Sequence, residues 1–184
     1  IGDTNNPEDV KDVTKGIHTV VCCLIGNVYT PQMALLADGV KNGIQRFVPA
    51  EYGILDPARL PYGTLKKIDD RVHFRQELEK VGVRGLFVTN GAFTEWLLSL
   101  KELNVYGNGD EEVALTSYAD AAKYIAAALS SDYSGNLYLY VEKLSYSQIA
   151  KLHEEASGKP YPFAVKGSIE EGKKRIDELM NEDK

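Results

Sequence analysis

Three short stretches carry residue types that could meet a cofactor: Gly26-Asn27-Val28, Ala50-Glu51-Tyr52-Gly53 and Asn90-Gly91-Ala92-Phe93. Small or glycine residues let a backbone come close to a ligand, and the polar residues beside them can donate or accept. Turns also favour Gly and Asn for conformational reasons alone, so each stretch has a plain reading as a turn. Metal chemistry finds little support. His18, His73 and His153 share no ligand spacing, and Cys22 and Cys23 are adjacent rather than a C-x-x-C pair. Adjacent cysteines cannot staple a fold, and they read as two buried free thiols in a reducing cytosol. Tyr138 and Tyr140 alternate as residues of a sheet face do. Tyr146 and Tyr161 read as packing residues, with a substrate cleft as the other reading.

The three stretches gain weight from the elements that must position them. A short helix is expected over Asn6 to Lys15, with Asn6 as cap, Pro7 at the first turn and Gly16 as stop. His18 to Ile25 is β-branched and apolar throughout, the pattern of a strand buried on both faces. Thr30 and Pro31 open a helix that Gly43 stops, and Gln45 to Pro49 reads as a second strand. A third helix spans about Thr64 to Val81, followed by a strand at Gly85 to Thr89. Helix and strand thus alternate with short connections, which predicts parallel strands, crossover helices and an open α/β sheet. Such a sheet binds ligands beyond the carboxyl ends of its strands, where the three stretches fall.

Further on, Ser117 with Asp120, Ser145 with Gln148 and Ser168 with Glu171 read as capping boxes. They open helices at Tyr118–Leu129, about Tyr146–Ala156 and about Ile169–Met180. Asn136 to Val141 is expected to be a strand, and Pro160 to Val165 a further one. The chain has 184 residues, 43% hydrophobic and 26% charged, with a formal charge of −6. That is the composition of a globular protein with no basic face, so neither nucleic acid nor an anionic membrane is expected as partner. The longest apolar run, Val20 to Ile25, is too short for a spanning helix. A cytoplasmic location is expected.

Residues Arg46-Phe47-Val48-Pro49-Ala50-Glu51-Tyr52-Gly53 resemble the Arg-Phe-x-Pro-Ser-Glu-Phe-Gly signature of the NmrA-like, isoflavone-reductase-like branch of the short-chain dehydrogenases/reductases. Phe74-Arg75 through Leu78-Glu79 to Gly82-Val83 resembles that family's Val-Arg-x-x-Ile-Glu helix and the Gly-Ile after it. Thr89-Asn90-Gly91-Ala92-Phe93 with Trp96-Leu97-Leu98 lies where the family has Gly-x-Phe and an apolar helix. Gly2-Asp3, the helix at Pro7 and Leu24-Ile25-Gly26 fit as well, and Leu144-Ser145-Tyr146 to Gly158-Lys159-Pro160 resembles the substrate-binding end of fungal-type members.

The resemblance implies a Rossmann-like open parallel sheet with helices on both faces. It gives a partial dinucleotide-binding domain over 1–100, and a remaining strand and helix with a small α/β substrate-binding part over 101–184. It implies an NAD(P)H-dependent reductase of a small carbonyl, enone or ether substrate, with NADP favoured over NAD by family habit. Gly26 and Asn27 would approach the cofactor diphosphate or ribose, and Ala50, Glu51 and Tyr52 would line the nicotinamide side. Asn90, Gly91 and Phe93 would complete that pocket, with Phe93 and Trp96 facing substrate. The family's Gly-x-x-Gly-x-x-Gly turn has no counterpart, and position 1 is not Met, so a further segment is expected before Ile1. The family's catalytic Lys corresponds to Arg71, which stays protonated and so anchors charge rather than moving a proton. Lys67, one turn earlier, is the substitute candidate, and both also read as solvated helix charges. Tyr62-x-x-x-Lys66 matches the acid/base spacing of the main dehydrogenase branch, yet without that branch's Ser it reads as loop packing. A non-catalytic NAD(P)-sensing regulator bound to a protein partner is the alternative function, and Arg71 in place of Lys supports it. Whether the chain forms a homo-oligomer stays open.

Overall fold

The computed structural model describes residues 2–53, 56, 57, 63 and 66–182. By backbone contacts the chain divides into two compact units, Ile1–Thr89 with Ala128–Tyr138, and Asn90–Ala127 with Leu139–Lys184. The first begins with α1 (Pro7–Val10), β1 (Thr19–Val21), α2 (Tyr29–Asn42), β2 (Arg46–Val48), α3 (Lys66–Lys80) and β3 (Arg84–Thr89). The chain continues in the second with β4 (Ala92–Phe93), α4 (Thr94–Ser99), β5 (Leu103–Val105), β6 (Glu112–Thr116) and α5 (Tyr118–Leu129). It returns to the first for β7 (Gly135–Tyr138). It ends in the second with β8 (Glu142–Ser145), α6 (Tyr146–Ser157), β9 (Phe163–Val165) and α7 (Ile169–Glu182).

In the first unit the order β1-β2-β3-β7 is parallel throughout, with Val20 beside Phe47, Phe47 beside Gly85 and Leu86 beside Gly135. The expected α/β alternation is therefore present. Phe47 from β2 meets Phe74 from α3 edge-on at 5.1 Å, and Leu36, Ala50, Leu78 and Val83 complete the core around them. Gly43 ends α2 in the left-handed conformation, φ 80°, with its amide returned to the helix carbonyls. Arg46 shows how tightly this sheet is tied to its surroundings. Its buried guanidinium donates to the carbonyls of Ala128, Leu129, Ser131 and Tyr133, the last residues of α5 and the turn after it, which belong to the same first unit.

Three expectations need correction here. The strand expected over His18 to Ile25 is only Thr19–Val21, and Ile25 is 95% exposed. Among the described residues β1 pairs with β2, and Val21 at its end is exposed. Of the two thiols only Cys22 is buried, because successive residues of extended chain face opposite ways. Burial pushes the Cys22 thiol up to about 12. The first helix stops at Val10, because Asp38 of α2 accepts the amides of Asp12 and Thr14 that helical carbonyls would otherwise take. The expected start of α3 at Thr64 lies outside the described residues.

The second unit holds a sheet β4-β6-β8, with β4 parallel and β8 antiparallel to β6, and a parallel pair β5-β9. Its own core gathers Leu97, Leu103, Val105, Val113, Leu115, Ile149 and Tyr161. The capping boxes at Ser145 and Ser168 form as expected: each serine hydroxyl accepts the amide three residues on, and the Gln148 or Glu171 side chain accepts the serine amide. At Ser117 the hydroxyl accepts the Asp120 amide and donates to the Asp120 carboxylate, so only the serine half of the box is present. Among the described residues, no helix is long and apolar enough to cross a membrane.

Candidate cofactor and substrate site

Beyond β1 the chain turns through Gly26, φ 88°, where an added Cβ would meet nothing within 4 Å. Asn27 beside it is exposed. The glycine is therefore required by backbone conformation, and the space over it is open to a ligand.

Beyond β2 the chain is held much more tightly. The Ala50 amide donates to the buried Gln32 Oε1 at 2.6 Å. Glu51 is 2% exposed, and its Oε2 accepts two bonds from Arg75, Nε at 2.9 Å and Nη2 at 2.5 Å. Both guanidinium nitrogens thus converge on one carboxylate oxygen, a charge-assisted contact rather than the fork-to-fork pairing that uses both oxygens. Arg75 also reaches Asp56 Oδ1 at 3.3 Å and Asn136 Oδ1 at 3.1 Å, and lies 4.3 Å over the ring of Phe87. Asp56 in turn accepts the Tyr138 hydroxyl. Tyr52, half-buried, packs on the first unit's core, and burial, then the neighbouring thiols, push its phenol well above the ordinary value.

Arg71 lies one turn before Arg75 on α3, so the two share a helix face. It is half-buried, whereas Lys67 is exposed. Glu51 and Arg75 are the charges that act on Arg71. Burial lowers its pKa, the Glu51 carboxylate opposes that and Arg75 adds to it. Burial likewise pushes the Glu51 carboxyl up, with Arg75 and then Arg71 pulling against it. Among the described residues, neither Glu51 Oε1 nor Arg71 Nε has a hydrogen-bond partner, although both are buried. The structure thus brings Arg71, Glu51 and Arg75 together and leaves Lys67 outside the cluster.

Tyr62 lies outside the described residues, so the Tyr62 to Lys66 spacing cannot be placed. Lys66 itself is exposed and pairs with Asp70 at 2.6 Å.

The third stretch belongs to the second unit. Asn90 is fully buried, and its carbonyl accepts the Thr116 hydroxyl at 2.7 Å. Gly91 has φ 69°, and a Cβ there would stand 2.2 Å from the Ala114 carbonyl oxygen. The close backbone approach at Gly91 is therefore one to β6. Phe93 stacks at 4.5 Å on Tyr118, and Trp96 is 49% exposed. Sequence reasoning gave no role to Arg75 or Asp56. Arg75 could have been found, because an Arg four residues after a half-buried cation needs its own carboxylate. Asp56 carried no local signal.

The class these features define is a Rossmann-like α/β fold, and comparison with known proteins agrees. Pinoresinol reductase 1 of Arabidopsis thaliana is 25% identical over 183 residues, covering 86% of this chain and 57% of that protein. The bifunctional pinoresinol-lariciresinol reductase of Linum perenne is 22% identical, covering 77% of this chain and 52% of that protein. This chain thus spans about half the length of these curated relatives. In fold, it superposes with a TM-score of 0.74 on a crystal structure of isoflavone reductase, at 19% identity over 96% of this chain and 63% of that one. The structure described as AtPrR2 with NADP+ and (+)pinoresinol gives 0.72, at 20% identity over 90% of this chain and 61% of that one. No protein-family profile matches. The chain is thus similar to pinoresinol and isoflavone reductases at 25% identity or below.

Proposed function

We propose that this chain serves an NADPH-dependent reductase of a small organic substrate bearing a carbonyl, enone or ether group. The observation that supports the reading best is Arg71, a half-buried fixed cation on α3, on the same helix face as Arg75, which binds Glu51 just past the carboxyl end of the parallel strand β2. The relatives' own names, all reductases, support the same reading.

The residues present fit a dinucleotide in part. Gly26 and Asn27 offer an open backbone turn, and Ala50, Glu51 and Tyr52 form a rigid floor after the next strand. When bound, the nicotinamide supplies the hydride, and the chain orients the reacting carbon against it. Arg71 cannot give up its proton at working pH, so its part is to hold negative charge as it grows on the substrate oxygen. Asn90, Gly91 and Phe93 belong to this reading by resemblance alone. NAD in place of NADP changes none of these roles.

The test uses the protein as its gene encodes it. NADPH binding is followed by calorimetry and turnover with a panel of enones, carbonyls and benzylic ethers. Binding with turnover is expected. Arg71→Lys should preserve or raise turnover, and Arg71→Ala should weaken binding or kcat/KM at least tenfold, about 1.4 kcal/mol. Failure to bind either dinucleotide overturns the reading. Binding without turnover in the parent and in Arg71→Lys would instead identify a dinucleotide-sensing regulator.

A further inference from the structure

α7 is capped by Ser168 and Glu171, and of its residues over 169–178 only Gly172 is buried. A Cβ at Gly172 would stand 2.8 Å from Tyr106 Cγ, so the helix backbone lies close against that ring. Among the described residues, the second unit's core takes none from α7. A helix of 14 residues is marginal in water by itself and depends on packing an apolar face. α7 has such a face. Ile169 and Ile176 lie two turns apart on one side of the helix and are 44% and 54% exposed. We propose that this face is a self-association surface, on which α7 of a second copy packs antiparallel.

The charges beside the two isoleucines select that occupant and its direction. Glu170 and Glu171 follow Ile169, and Lys173, Lys174 and Arg175 precede Ile176. With Ile169 of each copy over Ile176 of the other, antiparallel packing brings Glu170 of one level with Arg175 of the other, and Glu171 with Lys174. Glu170 and Lys174 are four residues apart and share the edge of the isoleucine face, so each meets its opposite across the contact. Parallel packing sets acid beside acid and base beside base. An anionic membrane fits poorly, because α7 carries five acidic residues against three basic. The helix is about 20 Å long, so the contact is small and the dimer weak and concentration-dependent.

The experiment is sedimentation of the protein as its gene encodes it, over a wide range of concentration. A monomer–dimer equilibrium is expected. Ile176→Glu puts a charge into the exposed face and should abolish the dimer while leaving the far-UV circular dichroism unchanged. Glu170→Lys and Lys174→Glu should each weaken association about tenfold, since each turns two attractions across the contact into repulsions. An equimolar mixture of those two variants should recover it, because opposite charges then face each other again. The exchange leaves the capping residue Glu171 in place, and it decides the matter if Ile176→Glu does not fold. A parent that stays monomeric, a dimer that survives folded Ile176→Glu, or a mixture no stronger than its components overturns the proposal. A monomeric parent that sediments with vesicles of phosphatidylcholine and phosphatidylserine assigns the face to a membrane and overturns it as well.

Discussion

At the scale of single residues, the same signature stretch holds two arginine-dependent devices of different kinds. Arg46 is buried and donates to four carbonyls around the end of α5, a task for which the planar guanidinium fork is suited and an ammonium is not. Arg46→Ala would leave those acceptors without their donor, so a loss of about 3 kcal/mol is expected in urea unfolding. A loss below about 1 kcal/mol would mean that water replaces the fork without cost. Arg46→Lys should recover only part. The sequence showed these residues as a motif but not which way they face. The Glu51 carboxylate was expected to line a cofactor, and it turns inward to Arg75. Gly91 read as room for a ligand, and the room is taken by the Ala114 carbonyl. Residue type and spacing along a strand cannot report such contacts, because the partner comes from an element distant in sequence.

At the scale of elements, what was legible is what local rules govern. The capping boxes at Ser145 and Ser168, the serine cap at Ser117 and the glycine stop at Gly43 were legible, since each rests on residues within one turn. β4, β5, β6 and β8 were not, being two to five residues long and defined by pairing with remote strands. The shortened α1 has the same origin, a carboxylate on α2 that captures the following turn. Burial alone would raise the Asp38 carboxyl, but the hydroxyl and amide of Thr14 and the amide of Asp12 outweigh it and hold it below the ordinary carboxylate range. A depressed folded-state pKa contributes stability that is present above the unfolded value and lost as pH falls through the folded one. Asp38→Asn should therefore cost about 1 kcal/mol at pH 7, and the difference from the parent should shrink as pH falls below about 4. A difference unchanged between pH 7 and pH 3 would show that the carboxylate charge is not what ties the turn. Glu51 runs the opposite way, because its raised carboxyl gives stability that is lost as pH rises through it. The comparison must accordingly be made as a difference between variant and parent.

At the scale of the whole molecule, the parallel α/β character was legible because helix and strand alternate in the first half of the chain. Two parts, over 1–100 and 101–184, were expected from the resemblance, but the return of Ala128–Tyr138 to the first unit had no local signal, since each unit draws on segments distant in sequence. Each unit closes a core of its own, one around Phe47, Phe74 and Leu78, the other around Leu103, Leu115 and Ile149. Those cores make separate demands. Leu78 is 1% exposed and Leu115 5%, so replacing either by Ala empties space that neighbours cannot fill without strain. A cost of about 2–5 kcal/mol is expected for each, and amide hydrogen exchange can locate it. Leu78→Ala should lower protection chiefly in β2 and β3, and Leu115→Ala chiefly in β6 and β8. The reasoning is that an amide inside a unit is protected by the core that must open to expose it. Equal loss throughout the chain in both variants would mean that the two cores open in one step, and the contact-based division would then have no energetic counterpart.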